Sequence, residues 1–190
     1  RLINLAKLLG GRMPGALAHT NVLANMLFGS ISGSSIAAAA AVGGVMGPLQ
    51  RKEGYDPAFS AAVNIASAPT GILIPPSGPL ILFSLVSGGT SISALFLGGY
   101  LPGILMGLSV MMVITFFAMR RGYRTEGSVG WSEILHVTWQ ALPPLLMIIL
   151  VIGGIAIGAF TATEGAAVAV LYSFVLSLMY RMASLQEYLE

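Results

Sequence analysis

Cysteine is absent from the 190 residues, and charge is nearly so: 8% of the chain is Asp, Glu, Lys or Arg, against roughly a quarter in an ordinary soluble domain. Without thiols there is no disulfide framework, no thiolate metal site and no cysteine nucleophile. Enzyme signatures are missing as well. No HExxH pattern, GxSxG elbow, Walker A loop or pair of intramembrane aspartates occurs, so a membrane protease or an ATP-driven pump has no visible machinery. The net charge of +2 arises from short polar loops and not from a basic face, and nucleic acid is not an expected partner. The N-terminal stretch lacks a small-residue cleavage site behind a compact apolar core and does not read as a signal peptide. The abrupt ends suggest a piece of a longer chain.

What remains is apolar, 56% of the residues. Charge-free runs from Met13 to Gln50, Pro57 to Met119 and Ile134 to Thr163 each exceed the roughly 20 residues that cross a bilayer. An all-α integral membrane protein follows. Charges fall in four clusters: Arg1, Lys7 and Arg12; Arg51, Lys52, Glu53 and Asp56; Arg120, Arg121, Arg124, Glu126 and Glu133; Arg181 with Glu187 and Glu190. All four share the cytoplasmic side, as the positive-inside rule prefers, if each intervening segment enters the membrane and returns.

Met13 to Gln50 is just too short for two complete spans of about 20 residues and a turn. Its midpoint, Gly29 to Ser35, reads "GSISGSS", which predicts a re-entrant helical hairpin over about 13–50. Pro57 to Met119 is expected to hold a helix over about 57–87, interrupted at Ser67 to Ser77 within "SAPTGILIPPSGP", a turn from Ser87 to Gly103, and a returning helix from about Leu101 to Met119. Trp131 and Trp139 suit the interface. The chain then goes out through a segment in which Pro143 and Pro144 are expected to bend the helix, and returns from Ala166 to Tyr180.

Prolines and glycines at membrane depth are tolerated where irregular backbone is buried in protein or lines a polar cavity. A broken helix exposes carbonyls at one end, which attract cations, and amides at the other, which attract anions. Ser30, Ser32, Ser34 and Ser35 add hydroxyls at the hairpin tip, with Gly33 permitting its turn. Asn64, Ser67 and Thr70 add oxygens at the break, with Gly71 for flexibility. Hard oxygen donors without carboxylate or thiol suit a weakly held monovalent cation such as Na⁺ better than a transition metal, and no cofactor is expected. Serine and glycine also serve ordinary helix contacts in membranes. An ion channel or a non-transporting scaffold are therefore the alternatives. Thr161 to Glu164 fits a capping box, His19 reads as a packing residue, and the ten methionines as core filler.

The order of "GSISGSS", "RKEGYDPAFSAAV", "IPPSGP" and "TATEGAAVAVLY" closely resembles the large membrane subunit of TRAP transporters, the tripartite ATP-independent periplasmic carriers, over nearly the whole chain to about Tyr180. The resemblance implies the first half of an inverted-repeat, ion-coupled transporter. Residues 1–100 would be half of a transport domain, 101–160 a connecting arm and scaffold helices, and 161–190 the start of the second repeat. It implies a multi-pass protein of the bacterial inner membrane importing organic acids, of the dicarboxylate, keto acid or sialic acid type. Na⁺ would be the coupling ion, and a small membrane subunit and a periplasmic substrate-binding protein the partners, with elevator-like motion of the hairpin and broken helix. Carried over by motif, Ser30 to Ser35 with Asn64, Ser67, Thr70 and Gly71 would hold Na⁺, while Ser34, Pro75, Pro76 and Ser77 would face the substrate. Two features depart from the pattern: Ala37 to Ala41 is all alanine where an acidic or polar residue is common, and no arginine lies near the tip or the break. The tail "MASLQEYLE" differs from the polar loop the resemblance implies there.

Overall fold

In the computed structural model, residues 2–10, 13–123 and 131–179 are described, and among them the secondary structure is entirely helical. The helices are α1 (Leu2–Gly10), α2 (Ala16–Ser32), α3 (Ser35–Lys52), α4 (Pro57–Ser67), α5 (Thr70–Leu73), α6 (Gly78–Val86), α7 (Ile92–Arg121), α8 (Trp131–Ala156) and α9 (Ala162–Met179). Two compact units divide the chain, Arg1–Ala141 and Leu142–Glu190. Arg124 and Glu126 of the third charge cluster, Arg181, Glu187 and Glu190 of the fourth, and the tail lie outside the described residues, as do the side chains of Trp131 and Glu133.

α2 and α3 form the expected hairpin, with a tighter tip than "GSISGSS" suggests. α2 continues to Ser32, and only Gly33 and Ser34 lie between the helices. Gly33 adopts φ 61°, a left-handed conformation that glycine takes without strain, and its N–H donates to Gly29 O at 2.7 Å. Ser34, extended at φ −136°, caps α3 by accepting from Ala37 N–H at 3.3 Å. The break is shorter than expected too. Ala68 and Pro69 keep near-helical dihedrals between α4 and α5, so the non-helical piece is Ile74 to Ser77, across which the axis bends by 45°.

The return helix corrects the expectation of a turn extending to Gly103: α7 begins at Ile92, where Ser91 accepts from Ala94 N–H at 3.3 Å. Gly88 and Gly89, both at positive φ, do turn the chain before α7, whereas Gly99 and Gly103 serve packing instead. Gly99, Gly103 and Gly107 recur every fourth residue, share a face and are buried. A Cβ on Gly103 would stand 3.3 Å from Leu73 Cβ, one on Gly99 3.2 Å from Leu80, and one on Gly107 3.0 Å from Met26 Cε. A small-residue face lets α7 approach the hairpin and the break more closely than any side chain permits.

α2 is the hub of the first unit. Leu17, Ala18, Val22 and Ala24 are buried with Val42 and Met46 of α3, Val63 of α4 and Ile114 of α7. At the charged end, Arg121 donates to Asp56 Oδ2 at 3.1 Å, and Tyr55 stacks on Tyr123 with centroids 4.2 Å apart. The second charge cluster therefore shares one end of this unit with Arg120 and Arg121, the described members of the third, as the positive-inside reading requires. At the opposite end Gly99 packs against Leu73 and Leu80, on either side of the break. α7 continues beyond that level for about 10 Å at 1.5 Å per residue.

Two described helices are long and apolar enough to span a membrane, Ile92–Arg121 and Leu135–Ile155, and the bent pair Pro57–Leu73 and Gly78–Val86 makes a third when taken as one span. Leu97, Leu101, Met112 and Met119 on α7 and Trp139 on α8 are exposed, which an apolar solvent tolerates and water does not. In the second unit Tyr172 donates its hydroxyl to Pro143 O at 2.9 Å, and Pro143 and Pro144 lie inside one helix. Thr161 N–H donates to Glu164 Oε2 at 2.7 Å while Glu164 N–H donates to Thr161 Oγ1 at 3.3 Å. That reciprocal pair is the capping box expected from the sequence.

Candidate functional site

The hairpin tip rests on the broken helix. A Cβ on Gly33 would lie 2.8 Å from Pro76 O and 3.4 Å from Gly78 N. The Pro75–Pro76 peptide is cis. Ser77, fully buried and extended at φ −123°, accepts from Leu80 N–H at 3.5 Å and donates to Ile72 O at 2.6 Å. Its hydroxyl thus ties the end of α5 to the start of α6. Ser34 and Ser77 cap two helices that start side by side, α3 and α6, while α2 and α5 end beside them. Amide-rich and carbonyl-rich helix ends therefore converge on one locus, suited to an anion and a cation respectively.

A second polar group lies deeper toward the charged end. Asn25 Nδ2 is within reach of four oxygens: Ser67 Oγ at 2.7 Å, Asn64 Oδ1 at 3.1 Å, Asn21 Oδ1 at 3.2 Å and Asn64 O at 3.3 Å. Asn64 Nδ2 donates to Ala39 O at 2.9 Å, and Ser67 Oγ donates to Val63 O at 2.7 Å. Thr70 Oγ1 continues the chain with Ser67 O at 2.7 Å. One side-chain amide thereby fastens α4 to both arms of the hairpin.

The sequence-derived candidates thus separate into two groups. Asn64, Ser67 and Thr70 join the deeper group, whereas Gly33, Ser34, Pro75, Pro76 and Ser77 meet at the tip. Gly71 stands between them against Gly29, where a Cβ would be 2.8 Å from Gly29 Cα. Ser30 is buried and donates back to Leu27 O at 2.8 Å. Ser32 is exposed, 3.4 Å from the Ser34 backbone, and Ser35 opens α3.

Asn21 and Asn25 escaped the sequence reading. Their i, i+4 spacing beside His19 and Thr20 places a polar stripe on an otherwise apolar helix, and all four are buried. That spacing was the available signal. His19 packs against α7, with Nε2 3.3 Å from Thr115 Oγ1.

Residues 1–190 match, without remainder, the family described as "Tripartite ATP-independent periplasmic transporter, DctM component". The chain belongs to the DctM family. It is 58% identical over 181 residues to the protein YgiK of Salmonella typhimurium, covering 95% of this chain and 42% of that one. It is 38% identical over 191 residues to the sialic acid TRAP transporter large permease protein SiaM of Vibrio cholerae, covering 100% and 44%. It is 41% identical over 188 residues to the C4-dicarboxylate TRAP transporter large permease protein DctM of Pseudomonas aeruginosa, covering 98% and 44%. This DctM chain therefore spans less than half the length of these relatives. Within that span lie a complete hairpin and a complete broken helix, joined at the tip and at Asn25.

Proposed function

We propose that this chain is part of the large permease subunit of a Na⁺-coupled, binding-protein-dependent importer of organic acids in the bacterial inner membrane. The seat of Gly33 on Pro76 to Gly78 carries the reading, because it brings two helix starts and two helix ends together where backbone dipoles serve opposite charges. Carbonyls at the ends of α2 and α5, with Asn64, Ser67 and Thr70 behind them, hold Na⁺. Amides at the starts of α3 and α6, with the hydroxyls of Ser34 and Ser77, face the substrate carboxylate. The hairpin is re-entrant, since α6 and α7 continue past its tip. Weak oxygen donors release the ion after each cycle.

The names of the relatives support a carboxylate substrate, sialic acid in one and C4-dicarboxylates in another. A small membrane subunit and a periplasmic binding protein complete the assembly. Hairpin and broken helix, locked to each other through Asn25, slide as one body in an elevator-like cycle, with α7 as the connecting arm.

The test is uptake of labelled organic acids by the full-length permease with its small subunit in proteoliposomes, with and without an inward Na⁺ gradient and the cognate binding protein. Uptake that needs both is expected. Sodium-independent uptake, or uptake without the binding protein, removes the coupling or the partner from the reading.

A further inference from the structure

α2 and α7 run antiparallel in one register, which brings a residue of α7 to the hairpin tip. A Cβ on Gly15, just before α2, would stand 2.7 Å from Ala118 Cβ, His19 Nε2 lies 3.3 Å from Thr115 Oγ1, and a Cβ on Gly107 would stand 3.0 Å from Met26 Cε. As many residues separate Gly15 from Met26 as separate Ala118 from Gly107. About two further turns lead from Met26 to Gly33 and from Gly107 to Tyr100. The break gives the same level independently. Gly33 rests on Pro76 and Gly78, and Gly99, the neighbour of Tyr100, packs against Leu73 and Leu80 on either side of that seat.

Tyr100 shares a face of α7 with the buried Phe96, Gly103 and Gly107 at helical spacing, and is itself half-buried. Helical side chains lean toward the N-terminus, so the phenol is carried outward along α7, the side on which α3 starts. Ser109 and Thr115 of α7 return their hydroxyl protons to their own helix, to Leu105 O at 2.7 Å and Met111 O at 2.9 Å. A tyrosine hydroxyl stands too far from its own backbone to do so. Among the described residues that of Tyr100 makes no hydrogen bond, and it is not enclosed. A tyrosine hydroxyl withdrawn from water calls for a polar partner.

The tip has few other donors for an anion. No lysine or arginine lies between Arg12 and Arg51 or between Lys52 and Arg120, and Ser77 spends its hydroxyl proton on Ile72 O at 2.6 Å. Backbone amides remain, and a neutral phenol adds a donor whose hydrogen bond to a carboxylate is of the strong, charge-assisted kind.

We propose that Tyr100 is a substrate-binding residue of the tip, its hydroxyl donating to the carboxylate that meets the start of α3. The identity of the anion as a transported substrate rests on the importer reading; the place of Tyr100 at the tip does not.

Tyr100→Phe removes the hydroxyl and keeps the ring. In the full-length permease with its small subunit and binding protein, assayed with labelled succinate, pyruvate and N-acetylneuraminate, it is expected to lower uptake about tenfold at limiting acid and much less at saturation. Its melting temperature and Na⁺ half-saturation should match the parent. Tyr100→Cys, with cysteines elsewhere replaced, gives a second readout: its reaction with aminoethyl methanethiosulfonate in purified permease should slow several-fold with whichever of the three acids is taken up. Thr90→Cys, in the exposed turn before α7, is the reference and should react alike with and without acid. Parent-like uptake by Tyr100→Phe at limiting acid overturns the proposal. So does a Tyr100→Cys thiol that stays unreactive while Thr90→Cys reacts, because the rest of the permease then covers the hydroxyl, and so does labelling indifferent to all three acids. Protection of Tyr100→Cys by an acid without Na⁺-driven uptake would retire the importer reading and leave a carboxylate site at the tip, whereas Na⁺-driven uptake left intact by Tyr100→Phe would do the reverse.

Discussion

Gly29 and Gly71 meet backbone to backbone: a Cβ on Gly71 would stand 2.8 Å from the Gly29 Cα, and one on Gly29 would fall on Gly71 itself. Neither residue has a positive φ, so the requirement is for space and not for conformational freedom. The contact holds α2 against α5 between the two polar groups of the site.

Gly71→Ala should therefore lower the thermal stability of the full-length permease, by about 1–3 kcal/mol for overpacking against backbone, despite the helix propensity that alanine adds. Gly44→Ala meets nothing within 4 Å and should be neutral or slightly stabilising, since alanine favours helix interiors by about 1 kcal/mol over glycine. Melting curves of the two variants in detergent decide the matter. Equal curves would mean that the Gly29–Gly71 approach is not needed.

Asn64 joins α4 to both hairpin arms, donating to Ala39 O at 2.9 Å and accepting from Asn25 at 3.1 Å. Asn64→Ala leaves the Ala39 carbonyl without that donor, a loss of about 1–3 kcal/mol where such a group is buried. It should also raise the Na⁺ concentration for half-maximal uptake several-fold. Ser34→Ala removes an α3 cap and should likewise raise the Na⁺ requirement, at a stability cost of about 0.5–2 kcal/mol. A titration of uptake against Na⁺ measures both. Loss of stability with an unchanged Na⁺ dependence would make Asn64 a brace and nothing more.

The hairpin and the break were legible because each interrupts a long apolar run with residues that cannot be there by default: four serines around Gly33, and three prolines within five residues at Pro75 to Pro79. Their limits were not. Ser30 stays helical with its hydroxyl donating back to Leu27 O, and Thr70 does the same with Ser67 O, so polar composition overstated both gaps. Gly98, Gly99 and Pro102 looked like a turn, yet the four-residue spacing of Gly99, Gly103 and Gly107 is that of a helix packing face. Asn25 was hidden by its position on an apolar helix, and only the tertiary approach of α4 reveals what it fastens.

At the charged end, hydrogen bonds from Phe59 and Ala58 N–H hold the Asp56 carboxyl below its usual range, with Arg121 adding to the effect. A depressed folded pKa contributes stability above the unfolded value of about 3.9, and that contribution is lost as pH falls through the folded value. Asp56→Asn should therefore melt below the parent at neutral pH, with the difference shrinking as the pH is lowered through about 4 and below. A gap that stays constant with pH would show that the charge on Asp56 is irrelevant and its cap geometry suffices.

The start of α9 offers the cleanest separation of structure from transport. Glu164 is the one acidic residue in its helix, and an acid in an apolar segment invites a role in proton or ion movement. Its oxygen is already committed, accepting from Thr161 N–H at 2.7 Å and Thr161 Oγ1 at 2.9 Å. Glutamine can occupy the same place in a capping box, but it cannot titrate. Glu164→Gln should retain both melting temperature and Na⁺-dependent uptake, whereas Thr161→Ala should cost about 0.5–2 kcal/mol of stability without altering the ratio of Na⁺ to substrate. If Glu164→Gln folds normally but uncouples uptake from the Na⁺ gradient, the carboxylate takes part in coupling and the cap is incidental to it.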